Sequence, residues 1–306
     1  MIRALLLLAG LTPLALESVP VKPKVWPYER QETPRAYFVL QATDMDSKPN
    51  WPEDYLKFSL VVANASISAA PGLVRANTQV PDCLLLAYRN FSDIEVADSR
   101  SGAFWDSLET AFDTTFCIRD LDDGGRCVRM QDGGDTIPAW IPFQQSIDAF
   151  MAHFDASVWI KDWDGIYLDE YTNPYPAWRF ALLPANYDID GDGVADDSTK
   201  LVEQREAGRA YIAQRIRASI GSDAVFIANT AGALAGGGCF NGITIEGIAS
   251  TADSTAAIAE FAAQDSVSVE PKVHVVWVTA ASQERRAVGV ARAHPNVWLG
   301  TTIGVD

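Results

Sequence analysis

Histidine is nearly missing from this chain: His153, His274 and His294 are the only three in 306 residues, and they lie far apart in sequence. No CxxC pair and no Cys/His cluster with zinc spacing occurs, which disfavours a zinc centre and a metal-dependent hydrolase. Positive charge is also scarce. Lys and Arg total 24 against 40 Asp and Glu, giving a formal net charge of −16, with no basic run anywhere. Phosphate backbones and anionic membrane surfaces call for Lys/Arg-rich faces, so nucleic acid is not an expected partner. Cysteine is limited to Cys83, Cys117, Cys127 and Cys239. That number suits an exported protein with one or two disulfides. Cys117 and Cys127 flank "IRDLDDGGR", whose Asp-Asp-Gly-Gly core is a turn signal that would set them across a hairpin.

Long apolar runs are missing too, except at the start. "MIRALLLLAGLTPLALES" has an arginine near its beginning and an apolar core from Ala4 to Leu16. That core has the length of a signal-peptide core and is too short to span a bilayer. Residues 1–20 are therefore read as a signal peptide and the protein as secreted, periplasmic or cell-surface, with no membrane insertion after signal removal. The alternative is an N-terminal helix packed on the domain. Residues 21–306 read as a single domain of ordinary globular composition, 48% hydrophobic and 21% charged.

Within that domain eight apolar runs recur: 35–43, 56–64, 81–90, 164–171, 224–232, 242–250, 272–280 and 296–304. Their hydrophobicity is nearly continuous, as in strands buried on both faces. Helical periodicity separates several of them, most clearly in "TKLVEQREAGRAYIAQRIRASIG" and also over 143–154, 253–264 and 282–294. Alternating β and α with eight strands predicts an α/β fold, a (β/α)8 TIM barrel. A doubly wound sheet is the alternative. It lacks its glycine-rich phosphate loop, since "LQATDMDSKPN" after the first strand contains no glycine. An insertion at 91–142, after strand three, reads as a hairpin with an Asp- and Gly-rich loop.

In such a barrel the chemistry gathers at the C-terminal ends of the strands. Those ends fall near Asp44, Asn64, Arg89-Asn90, Asp169-Glu170, Asn229, Glu246 and Trp277. Two stretches stand out. "DWDGIYLDEYTNPYPAW" (Asp162 to Trp178) ends an apolar run in two adjacent carboxylates, and "GITIEGI" holds the single glutamate Glu246 among apolar neighbours. An unpaired glutamate there would cost several kcal/mol or be held neutral. An ion pair with Arg89 or another cation is the bland explanation, and a carboxyl kept protonated as a general acid is the sharper one. Paired across the barrel mouth, one carboxyl could protonate a leaving oxygen while the other attacks the anomeric carbon or activates water. Neighbouring strand residues point to opposite faces, so only one of Asp169 and Glu170 enters the lumen of a regular strand. Asp169 is preferred as nucleophile or base, with Glu170 supporting. Asp164, at the start of the strand, belongs to the opposite, stability face.

"DGIYLDE" on strand four with "NGITIEG" on strand six resembles glycoside-hydrolase-like (β/α)8 barrel families of microbial proteins. The placement is also similar to α-galactosidase-type barrels. The resemblance covers the strand framework from about 35 to 304 and implies a sugar-cleaving barrel with Asp169 or Glu170 opposite Glu246. The substrate would be an oligo- or polysaccharide, bound with help from Asp44, Asn64, Arg89, Asn90, Asn229 and Trp277. Tyr171, Tyr175 and Trp178, just beyond the acidic pair, would serve as stacking platforms for sugar rings. A non-catalytic carbohydrate-binding barrel is the competing reading.

"DIDGDGVADD" adds a second acidic motif, with Asp188, Asp190 and Asp192 at alternate positions, Gly193 next, and Asp196 and Asp197 following. It resembles the calcium loops of EF-hand-like and dockerin-type repeats, with side-chain oxygens, a turn glycine and the Val194 carbonyl around a hard cation. The twelfth position is Thr199, where an EF-hand has glutamate. Structural Ca2+ held by Asp188, Asp190, Asp192, Val194, Asp196 and Asp197 is expected, and no organic cofactor. A solvated acidic turn is the alternative. Asn64-Ala-Ser66 and Asn90-Phe-Ser92 match glycosylation spacing and are read as chance.

Overall fold

The structure is a computed structural model that describes residues 35–39, 58–64, 83–90, 118–127, 129–132, 135–138, 147–148, 151, 163–169, 171, 183–230, 237–248, 250–278, 280–294 and 296–302. Eight parallel strands close into a barrel: β1 (Arg35–Val39), β2 (Leu60–Asn64), β3 (Leu84–Asn90), β8 (Gly165–Asp169), β10 (Val225–Asn229), β11 (Gly242–Glu246), β12 (His274–Val278) and β13 (Val297–Thr302). Each pairs with the next in this order, and β13 closes the ring on β1, Tyr37 standing opposite Thr301. All eight expected runs supply a strand, so the fold is the predicted α/β barrel.

Side chains alternate along the strands between two cores. Leu60, Val62, Leu84, Leu86, Tyr167, Val225, Ile227, Val273, Val275, Trp277 and Trp298 fill the barrel interior. Ile166, Leu168, Phe226, Ala228, Ile243 and Val276 point outward instead, against Ile212, Ile216, Phe261 and Val290 of the helices. Both faces are dry, which is why the sequence runs are apolar without a break.

Three long helices cover the described part of the outer layer: α1 (Ser198–Ile220), α2 (Thr251–Asp265) and α3 (Glu284–Ala293). Each start is fixed chemically. The Asp197 side chain accepts from the amides of Thr199 and Lys200 to cap α1, and Ser250 with Asp253 forms a capping box on α2. Gly221 ends α1 at φ 79, a backbone conformation that favours glycine. Of the helix expected over 143–154, residues 147, 148 and 151 are described, and they are helical.

Two glycines set how closely the site-bearing strands meet their neighbours. A Cβ on Gly165 would lie 1.8 Å from the Val225 carbonyl oxygen, and one on Gly242 would lie 1.8 Å from that of Val273. No side chain fits there. The strands carrying the two candidate acids both begin at such a point, next to anchors of the bottom face. Asp164 accepts the Leu85 amide at 2.9 Å, and the Asn241 side-chain oxygen accepts the Phe226 amide and the Arg217 guanidinium at 2.7 Å each. Asp164 thus belongs to the stability face, as its position predicts.

The insertion is partly described. β4 (Arg119–Asp120) and β5 (Arg126–Cys127) form a hairpin whose turn holds Gly124 and Gly125 at positive φ. β6 (Arg129–Asp132) and β7 (Asp135–Pro138) form a second ribbon. β4 also pairs antiparallel with β9 (Tyr187–Asp188), so the hairpin docks onto the chain entering the acidic loop. Cys239 is a free thiol; the Cys117–Cys127 pairing involves Cys117, which lies outside the described residues. The signal-peptide reading also falls on residues outside them. No described helix is long and apolar enough to cross a membrane.

Candidate active site

The alternation of the strands places the acids. Tyr167 belongs to the barrel interior while Ile166 and Leu168 face the helices, so Asp169 follows Tyr167 into the lumen. Glu246 shares the face of Gly242 and Thr244 on β11, and Asn229 shares that of Val225 and Ile227 on β10. Three adjacent strands, β8, β10 and β11, therefore deliver a carboxylate, an amide and a carboxylate to one end of the barrel.

Their side chains touch. One nitrogen, Asn229 Nδ2, donates to Asp169 Oδ1 at 2.7 Å and to Glu246 Oε1 at 2.6 Å. The Tyr88 hydroxyl donates to Asp169 Oδ2 at 2.6 Å. These lengths are those of strong, charge-assisted bonds. Beneath them Tyr88 stacks on Tyr167, ring centroids 6.0 Å apart. Tyr167 is fully buried, and burial first, then the charges of Asp169 and Glu246, holds its phenol well above the usual range. It stays neutral below both acids.

Glu246 keeps solvent contact at the mouth, yet the wall around it removes enough water to push its pKa up to about 7. Burial is the largest cause and the charge of Asp169 the second, while the Asn229 hydrogen bond pulls the other way. Among the described side chains its partner is an amide, not a cation.

The remaining expected residues fall into three groups. Asn64, Arg89 and Asn90 are strand positions at the same end, with Asn64 opposite Tyr88 and Asn90 opposite Asp169; their side chains lie outside the described residues. Asp44, Glu170, Tyr175 and Trp178 lie wholly outside them. Trp277 stands opposite Glu246 on the neighbouring strand, is 6% exposed and packs in the interior layer, so little of its ring is open to a ligand. Tyr171 requires a correction. It is fully buried in the core between sheet and helices, against Phe240, with the Arg209 guanidinium 4.4 Å over its ring. Its hydroxyl donates to the Arg209 carbonyl and its own carbonyl accepts from Arg209 Nη2 at 2.6 Å. Such a ring cannot stack on sugar. Tyr88 is the residue the sequence reading passed over, although its two-residue spacing from Leu84 and Leu86 marks it for the interior face.

No family model and no curated protein matches the chain. Among solved structures it is similar to a cycloalternan-degrading enzyme from Trueperella pyogenes, with TM-score 0.53 and 9% identity over 87% of this chain. It spans 42% of that protein. Weaker matches are an α-galactosidase from Thermus thermophilus in complex with stachyose (TM-score 0.40, 12% identity, 70% of this chain, 44% of that one) and a xylosidase from Aspergillus niger (0.40, 13%, 70% and 34%). The likeness is one of fold. It agrees with the closed α/β barrel described above and leaves the chemistry to the residues.

The acidic loop is a separate structure beside α1. Oxygens of Asp188, Asp190 and Asp196 lie within 4.8 Å of one another. Asp188 accepts the amides of Gly191 at 2.7 Å and Gly193 at 2.9 Å, and Asp192 accepts that of Val194 at 2.7 Å. Two features do not fit resident calcium. Asp197 gives Oδ1 to the amides capping α1, and the Lys200 ammonium bridges Asp190 at 2.8 Å and Asp196 at 2.6 Å. Those two bonds push the Lys200 pKa up, and Lys200 lowers that of Asp190. The counter-charge that the five aspartates call for is built into the chain.

Proposed function

We propose that the protein is a retaining glycoside hydrolase acting on an oligo- or polysaccharide, with Asp169 as nucleophile and Glu246 as general acid and then base. The observation that carries this reading is the single amide between the two acids. With its two N–H groups about 120° apart, bonds of 2.7 and 2.6 Å put the bonded oxygens about 4.6 Å apart and never beyond about 5.3 Å, well short of the inverting range. Retaining pairs stand about 5–5.5 Å apart, whereas inverting pairs need about 6.5–9.5 Å to admit a water.

In the first step Asp169 forms a bond to the anomeric carbon as the glycosidic bond breaks, and Glu246 gives its proton to the departing oxygen. The ester formed removes the negative charge of Asp169, which is the second cause of the raised Glu246 pKa. Glu246 is then a stronger acid and more readily ionised, ready to take a proton from the water that cleaves the ester. Tyr88 holds the other oxygen of Asp169 and orients the attack. A carbohydrate-binding barrel without catalysis would have no need for a carboxyl held protonated near neutrality.

The test is a glycan panel with the anomer of the first product read by NMR. Retention is expected, with turnover falling as pH rises through about 7, where Glu246 loses its proton. Inverted product would overturn the assignment of Asp169, and binding without turnover across the panel would favour the binding module.

Calcium enters this proposal as a competitor of Lys200. Two cations cannot share Asp190 and Asp196 without strong repulsion. With Lys200 supplying the counter-charge, the melting midpoint of the wild type is expected to stay within about 1 °C when a chelator is added. Lys200→Met should melt a few degrees lower and regain the loss with millimolar calcium. A chelator-sensitive wild type would restore calcium as the resident ion.

A further inference from the structure

We infer that Asn229 is a positioning residue that yokes nucleophile and acid, spending both hydrogens of one amide on Asp169 Oδ1 and Glu246 Oε1. The inference rests on the reading of the two carboxyls just given, and it adds a third residue whose role is neither proton transfer nor contact with the anomeric carbon.

Strand order makes the arrangement possible. β10 lies between β8 and β11, so the only strand adjacent to both acids carries the amide. Backbone pairing sets Ala228 opposite Leu168, one residue before Asp169, and Asn229 opposite Thr244, two residues before Glu246, so the amide lies within reach of both carboxyls. A primary amide suits the task. Its two N–H groups diverge by about 120° in one plane, so one group fixes both the distance and the relative orientation of two acceptors. Aspartate would present no donor and would add a third negative charge. Serine has one donor for two acceptors, and glutamine adds a rotatable bond between strand and amide.

The bond to Glu246 also has an electrostatic consequence. An N–H aimed at a carboxylate favours the ionised form, so Asn229 opposes burial and the charge of Asp169 and keeps the acid able to release its proton near neutrality. Without it, Glu246 would hold its proton to higher pH. The two carboxyls would also lose their fixed spacing.

The deciding measurement is a carbon-13 NMR titration of the Glu246 carboxyl in the full chain, wild type against Asn229→Ala, with the far-UV spectrum as a check on folding. The Glu246 midpoint should rise by about one pH unit in the variant, the size expected from losing one charge-assisted hydrogen bond. In turnover assays the alkaline limb should move up by the same amount while the maximal rate falls by about 10- to 100-fold. An unmoved midpoint in a folded variant would overturn the inference, because a merely structural asparagine would not alter that titration. If Asn229→Ala does not fold, Asn229→Ser decides: its single donor cannot serve both acids, and a midpoint equal to wild type counts against the yoke. The titration needs no substrate. A protein that cleaves no glycan but shows the shift would retain the yoke and lose the glycosidase assignment.

Discussion

Replacing Glu246 with glutamine is expected to lower turnover by about 10²- to 10⁴-fold, the share that a positioned general acid supplies, while oligosaccharide binding changes little. Glutamine keeps the shape and can still accept from Asn229, so only the transferable proton is lost. The deficit should shrink on aryl glycosides with acidic phenol leaving groups, which depart without protonation. A structural glutamate would show no such dependence on the leaving group.

The same substitution has a stability signature whose sign is fixed. The folded chain holds the Glu246 proton up to about 7, above the ordinary value of 4.5, so it binds more protons than the unfolded chain between those limits. Wild-type stability therefore declines as pH rises through that window, and Glu246→Gln should remove this component. The variant should gain on the wild type in melting temperature between pH 4.5 and 7 while remaining inactive. A parallel pair of melting curves would show Glu246 to be unperturbed.

Asp169→Ala should be more severe, on the order of 10⁴- to 10⁶-fold, because a retaining pathway has no substitute for its nucleophile. The truncation leaves a small space at the barrel mouth, and azide is the probe for it. Azide nitrogen should bond to the anomeric carbon from the side Asp169 vacated, while the leaving oxygen takes its proton from Glu246. The product would be a glycosyl azide of inverted configuration. Full turnover in the alanine variant would remove Asp169 from the chemistry, and an azide adduct of retained configuration would place the attack on the other face.

Much of this architecture was legible because strands dry on both faces leave unbroken apolar runs, and a lone glutamate inside such a run has few explanations. Glu246 stood out for that reason. The choice between Asp169 and Glu170 was not legible: it depends on strand parity, which is settled only by whether Tyr167 packs inside the barrel or against the helices. Tyr88 is not legible as a site residue because a tyrosine inside an apolar run reads as core, and its ring is indeed core while its hydroxyl is not. The place of Tyr171 is not legible either, because it is decided by Arg209, 38 residues further along, which is buried on α1 and draws the chain outward. Lys200 is a similar case. The calcium-loop pattern ends before it, and only the first turn of α1 brings its ammonium back onto Asp190 and Asp196.

The ring of eight strands also bears on how the chain behaves when concentrated. A closed ring offers no unpaired row of amides and carbonyls, so a neighbouring molecule finds no template there for adding a strand. Among the described residues, open rows remain only on ribbons two to four residues long, in the hairpin region and beside the acidic loop. Such lengths are too short to nucleate fibrillar stacking, so none of these described edges templates a fibre.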